Sequence, residues 1–132
     1  IKEACGDMDQ VSELVRLIQG SLTVYSGDDS ITLPMMAIGA HGIVSVASHI
    51  IGRQIKSMIE SFISGDATGA AKIHSELFPI FKGLFITSNP VPLKAALNIM
   101  GMEVGGLRLP LVSATTDEQE KIKNMLTSHG II

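Results

Sequence analysis

The chain has 132 residues, with 10 Lys and Arg against 13 Asp and Glu and a formal net charge of −3. That length is one domain or a piece of a larger one. The near-balanced charge, with no basic cluster, excludes nucleic acid as a partner, because phosphate binding needs concentrated Lys and Arg.

Residues 1–4 are too few for a strand of their own and read as the end of one. Asp7 or Asp9 can cap a helix running through Gln19, with Val11, Leu14, Val15 and Ile18 on one face and Gly20 as its stop. Residues 22–25 and 43–46 are short, apolar and rich in β-branched side chains. Between them lies one short helix, residues 30–38, with Pro34 near its start and Gly39 at its end. Strand, helix, strand at this spacing is a βαβ unit, so the two strands are expected to be parallel. Neither run alternates strictly with polar residues, as expected of strands buried on both faces. The first run ends in Ser26-Gly27-Asp28-Asp29. Polar groups at the carboxyl end of a parallel strand mark where such folds hold ligands, and a site is expected near Gly27 and Val44.

After Ser48 the period is helical throughout. Ile51, Ile55, Met58, Ile59 and Phe62 form one stripe, ended by Ser64-Gly65. Asp66 caps the next helix, with Ala70, Ile73, Leu77 and Phe81 inward. Asn89-Pro90-Val91-Pro92 is a rigid break, and Leu93, Ala96, Leu97 and Met100 make a further helix closed by Gly101. Thr115 with Glu118 three residues on is a capping box for a last helix carrying Ile122, Met125 and Leu126. Three parallel strands make a poor sheet alone, so the layout predicts part of a barrel plus a helical appendix.

Hydrophobic residues make up 45% of the chain and the mean hydropathy is +0.36. Either the strands are thoroughly covered or apolar surface is left for a partner. The most apolar window, residues 33–52, is interrupted by Pro34, Gly39, His41, Gly42, Ser45, Ser48 and His49, and reads as core rather than a membrane span. Lys2, Glu3 and Asp7 leave no signal-peptide pattern at the start. The single Cys5 cannot form an internal disulfide, which fits a reducing cytoplasm. A first residue of Ile rather than Met points to truncation or processing.

Among residues that carry chemistry, a lysine buried at a barrel mouth can lose its charge and condense with a carbonyl. Lys2 has that position if residues 1–4 end a strand, although a solvated terminal lysine is the ordinary reading. Asp28 and Asp29 fit an acid–base pair or metal ligands, but a Gly-Asp-Asp before a helix more often caps it. Ser26 lacks the glycine-flanked elbow of a nucleophilic serine. His41, His49, His74 and His129 share no metal-ligand spacing, and the glycines flanking His41 do not form a dinucleotide-binding fingerprint. The seven methionines read as core or interface filler. Arg108, in Leu107-Arg108-Leu109-Pro110-Leu111, is a lone cation among apolar residues and is expected to have a buried partner.

Ile1-Lys2-Glu3-Ala4, Ser26-Gly27-Asp28-Asp29, Gly42-Ile43-Val44-Ser45-Val46, Asn89-Pro90-Val91-Pro92-Leu93-Lys94 and Arg108-Leu109-Pro110-Leu111 together resemble the dihydrodipicolinate synthase family of pyruvate-dependent class I aldolases. The resemblance in order and spacing extends over essentially the whole chain. The Gly-Asp-Asp and Gly-Ile-Val-Ser-Val forms are more similar to the synthase than to N-acetylneuraminate lyase.

The resemblance implies an α/β fold: the C-terminal part of a TIM (β/α)8 barrel, strands 6–8, in residues 1–65, and an all-helical C-terminal domain in residues 66–132. It implies that Lys2 forms the Schiff base with pyruvate, that the main-chain carbonyl of Val44 faces the bound pyruvate, and that Gly27 lies on the adjacent strand end. The enamine then attacks aspartate semialdehyde, in bacterial lysine (diaminopimelate) biosynthesis, with no cofactor and no metal. Members are homotetramers of the cytoplasm. The resemblance also implies that the first five strands are absent, and with them a threonine pair, a tyrosine proton relay and an arginine that holds the semialdehyde carboxylate. The chain is therefore expected to be an inactive C-terminal fragment, or a non-catalytic assembly module that pairs with copies of itself or with a complementary N-terminal half. A related pyruvate-dependent aldolase, of the neuraminate-lyase or keto-sugar-acid type, is the alternative for the parent enzyme.

Overall fold

The computed structural model describes all 132 residues. The first strand, β1, is Lys2–Glu3, and β2 is Tyr25–Ser26; they pair in parallel with Lys2 opposite Tyr25 and Glu3 opposite Ser26. Between them lies α1, Met8–Ile18. Of the two acidic candidates for its cap, Asp7 takes the position, accepting from the backbone N–H groups of Asp9 and Gln10 at 2.9 and 3.3 Å. The helix stops one residue earlier than the sequence predicts, because Gln19 adopts a left-handed conformation (φ 46°).

The expected strand over residues 22–25 is shorter and later, and the one over residues 43–46 reduces to a single parallel bridge between Ser26 and Ile43. The ladder itself is parallel as expected: His41 N–H donates to Val24, Ser26 N–H to Gly42 and Val44 N–H to Ser26, each at 2.8–2.9 Å. It ends at Val44 because the next backbone donors, on Val46 and Ala47, turn to the carboxylate of Asp29. The helix expected over residues 30–38 is likewise divided, into a 3-10 turn at Asp29–Ile31 and α2 at Thr32–Ala37. Pro34 is the third residue of α2, where a missing N–H costs no helical hydrogen bond.

Four helices follow: α3 (Ser48–Ile63), α4 (Ala67–Gly83), α5 (Val91–Ile99) and α6 (Thr116–Ser128). The first turn of α3 is offset from the rest by a non-helical Ile51 (φ −123°, ψ 34°). Asp66 caps α4 by accepting from Gly69 N–H at 2.8 Å, and Asn89-Pro90 is a cis peptide just before α5. No helix is long and apolar enough to cross a membrane.

The chain forms two compact units, Ile1–Leu77 and Phe78–Ile132. The division falls within α4, beside Pro79, which has no N–H to continue the helical hydrogen bonding. In the first unit, Val11, Val24, Met35 and Ala40 are buried together, with Leu14, Val15 and Ile18 packed against them. The hydrophobic stripe read for α3 contributes Ile51, Ile55 and Met58 to the interior. In the second unit α5 packs on α6. Its buried side chains include Phe81, Leu84, Leu97, Ile122 and Leu126. Gly83 leaves the space that the sulfur of Met125 fills.

Arg108 corrects the expectation made for it. It is exposed, in a stretch where Met102, Val104, Leu109 and Val112 are exposed as well. With its guanidinium in water it has no desolvation to offset, so it needs no buried partner.

The capping box of α6 is complete: Thr115 Oγ1 accepts from Glu118 N–H at 3.3 Å, and Glu118 Oε2 accepts from Thr115 N–H at 2.7 Å. Thr115→Ala is expected to lower stability by about 1 kcal/mol, and Thr115→Ser to restore most of it, as read from urea unfolding curves.

Candidate active-site segment

The parallel ladder brings Lys2, Gly27 and Val44 to one end of three neighbouring chain segments. Gly27 N–H donates to Glu3 O at 2.7 Å and Val44 N–H donates to Ser26 O at 2.9 Å. Lys2 lies across Gly27: a Cβ on that glycine would meet Lys2 Cε at 2.6 Å, Ala4 Cβ at 2.8 Å and Lys2 Cγ at 3.0 Å. The missing side chain is therefore what allows the lysine stem to lie over the strand end. Lys2 is exposed, and Val44 is half exposed on the neighbouring segment.

The polar residues after β2 have separate structural roles. Ser26 is fully buried; its hydroxyl donates to Asp28 O at 2.7 Å and accepts from Asp28 N–H at 3.2 Å, so it closes a turn. Asp28 is the cap, accepting from Ser30 N–H at 2.8 Å. Asp29 instead turns inward, only 2% exposed. Its carboxylate accepts from the Ser45 hydroxyl and, at 3.1 Å each, from the N–H groups of Val46 and Ala47. The Ser45 hydroxyl in turn accepts from Ser48 N–H at 2.8 Å, at the start of α3.

Sequence reasoning missed the partnership of Asp29 and Ser45. They are 16 residues apart, outside any helical or hairpin spacing, and only the parallel crossover brings them together. A second missed cluster surrounds Glu3, whose Oε1 accepts from Ala4 and Cys5 N–H at 2.7 Å each and whose Oε2 accepts from the Gln10 amide at 3.4 Å. The Cys5 thiol beside it, with these N–H donors, holds the Glu3 carboxyl below its ordinary value against a weaker opposing effect of burial.

The four histidines lie in different settings. His41 tilts against Tyr25 with ring centroids 6.5 Å apart, and His49 is exposed. Burial pushes the His74 imidazole below its usual value, and His129 Nδ1 lies 2.8 Å from Met125 O. No three metal-ligating side chains come together.

Two measurements check this geometry. Gly27→Ala is expected to destabilise the chain by about 1–3 kcal/mol in urea unfolding, because Ala4 Cβ cannot swing aside as Lys2 can; Lys2→Ala in that background should recover part of the loss. A depressed carboxyl stabilises above the ordinary glutamate value and loses that contribution as pH falls through its own lower one. The Ala4 and Cys5 amide resonances should therefore titrate together, with a midpoint below the ordinary glutamate value, and Glu3→Gln should abolish the transition.

Comparison with known proteins places this chain in a family. The model of the dihydrodipicolinate synthetase family matches residues 1–129. A 4-hydroxy-tetrahydrodipicolinate synthase of Desulforamulus reducens is 62% identical over 128 residues, which is 97% of this chain and 43% of that protein. The dihydrodipicolinate synthase structure from Aquifex aeolicus is 41% identical with a TM-score of 0.94, covering 98% of this chain and 44% of its own. The chloride-inhibited synthase of Acinetobacter baumannii, solved with pyruvate, is 34% identical with a TM-score of 0.93, covering 100% and 45%. The chain thus spans less than half the length of the relatives it matches. On the strength of a family match over nearly its whole length, this chain belongs to the dihydrodipicolinate synthetase family.

Proposed function

We propose that the chain is the part of a 4-hydroxy-tetrahydrodipicolinate synthase that carries its Schiff-base lysine. In this reading residues 1–65 are strands 6–8 of a TIM (β/α)8 barrel and residues 66–132 its helical C-terminal domain. The parent enzyme condenses pyruvate with aspartate semialdehyde in lysine biosynthesis, as a homotetramer of the cytoplasm, with neither cofactor nor metal. The observation that carries the reading is the stem of Lys2 lying over Gly27 beside Val44, at the strand end where a parallel barrel holds its substrate. A pyruvate-bound relative of the same fold supports the choice of 2-oxo acid.

The chemistry asked of these residues is specific. The Lys2 amine adds to the C2 carbonyl of pyruvate and expels water, leaving an imine. Loss of a methyl proton gives the enamine, whose carbon attacks the semialdehyde carbon. The amino group of the semialdehyde then displaces Lys2 from C2 and closes the ring. Gly27 keeps the lysine path open, and the Val44 carbonyl borders the bound pyruvate. The acid–base groups of this sequence of steps belong to the remainder of the parent protein. Each such group typically contributes about 10²–10⁴-fold, so the chain alone is inactive as a synthase.

A second reading comes from the open sheet. Two two-residue strands and a single bridge leave backbone edges to be paired, so the chain serves as an assembly module for its own copies or for a complementary N-terminal half. A monodisperse monomer in light scattering would count against that reading.

The test is an intact mass spectrum after incubation with pyruvate and borohydride, with and without the N-terminal portion of the Desulforamulus reducens relative. The expected result is a reduced pyruvyl adduct mapped to Lys2 in the mixture, lost in Lys2→Ala, and negligible synthase turnover by the chain alone. An adduct spread over other lysines, or none in the mixture, overturns the reading. Turnover with a sugar aldehyde but not with aspartate semialdehyde would transfer it to a related aldolase.

A further inference from the structure

We propose that Asp29 is a positioning residue for the Lys2 site, acting through Ser45 on the backbone of Val44. Asp29 lies just past the Ser26-Gly27 strand end, with Asp28 between, and its buried carboxylate reaches across to the next segment of the sheet. There it takes the Ser45 hydroxyl and the N–H groups of Val46 and Ala47. Ser45 completes a relay by accepting from Ser48 N–H at the start of α3. Val44 is thus held from both sides: its own N–H is bonded to Ser26, and the three residues after it are bonded to Asp29.

The donors decide what the carboxylate can do. Three hydrogen bonds occupy both oxygens, on a side chain almost out of contact with water, so Asp29 is a brace rather than a proton donor or a metal ligand. A carboxylate is required, because an amide at this position would turn an N–H₂ toward one of the donors and leave it unpaired. The brace joins the segment under Lys2 to the segment carrying Val44, so losing it lets the two strand ends separate. The part of this inference that concerns substrate rests on the proposed function; the part that concerns the brace does not.

The test uses the full chain with Asp29→Asn, Ser45→Ala and Ser45→Thr, read by amide hydrogen exchange. Asp29→Asn should speed exchange at Val44, Val46 and Ala47 by about tenfold, the factor expected for one lost hydrogen bond. Ser45→Ala should do so at Val44 and at Ser48, whose N–H loses its acceptor, while Val46 and Ala47 keep theirs. The Tyr25 and Gly27 amides, bonded to the β1 segment, should be unaffected, and Ser45→Thr, which keeps the hydroxyl, should exchange like the wild type. Ser45→Ala keeps the carboxylate and its two backbone donors, so it decides the matter if Asp29→Asn fails to fold. Unchanged exchange at Val44 in a folded variant overturns the brace. In the pyruvate and borohydride mixture, the variants should label Lys2 about tenfold more slowly than wild type, with Ser45→Thr restoring the rate. Equal labelling overturns the positioning role. A wild-type chain that never labels overturns the proposed function, together with the substrate part of this inference, and exchange alone then judges the brace.

Discussion

The first unit depends on a buried carboxylate. An aspartate out of contact with water costs several kcal/mol unless hydrogen bonds replace its hydration, and Asp29 recovers that cost from one hydroxyl and two backbone donors just before α3. Those backbone donors, on Val46 and on the cap residue Ala47, lie beside a helix N-terminus, whose dipole favours negative charge. One contact thereby satisfies three groups and fixes a distance between two strand ends. The same contact ends the parallel ladder at Val44, which is why the third strand is a single bridge rather than a run.

Around that brace, the other features of the site follow from small steric and polar choices. Gly27 has no side chain where Lys2 must pass, and Ser26 is small enough to be wholly buried while its hydroxyl closes the turn to Asp28. Glu3, next to Lys2, is not an ion-pair partner but an acceptor for its own turn and for Gln10. The lysine stands at the edge of a sheet of very short strands, in water. The Schiff-base chemistry proposed for it needs burial to weaken the charged form of the amine, and in that proposal further strands of a longer protein supply the burial.

The second unit is stabilised differently, by apolar burial and local caps. Phe81, Leu84, Ile122 and Leu126 are buried, Gly83 makes room for Met125, and Thr115 and Glu118 satisfy each other's backbone donors. The cap is local and the buried residues repeat at helical spacing, whereas Gly83 and Met125 lie far apart in sequence and meet only through packing. The apolar stretch from Met102 to Val112 adds little to this interior, since Met102, Val104, Leu109 and Val112 remain exposed.

By itself the sequence determined what local spacing controls. The stripes of α3, α4 and α6, an acidic cap at Asp7 or Asp9 and the Thr115 capping box were legible because each rests on residues within a turn or two of one another, and the parallel order of the first segments because a helix lies between them. A site near Gly27 and Val44 was read from the ends of the parallel runs, whereas the role expected of Lys2 beside them came through motif resemblance, since no periodicity links positions 2, 27 and 44. Tertiary structure alone decided the roles of the acidic pair after Gly27: Asp28 caps, and Asp29 crosses to Ser45. It also decided that Arg108 lies in water, that the strands are two residues long, and that the compact units divide inside α4. For the acidic pair the physical reason is the crossover. Hydrogen-bond acceptors and charges take the partners that chain crossover brings near, and those partners carry no mark in the local sequence.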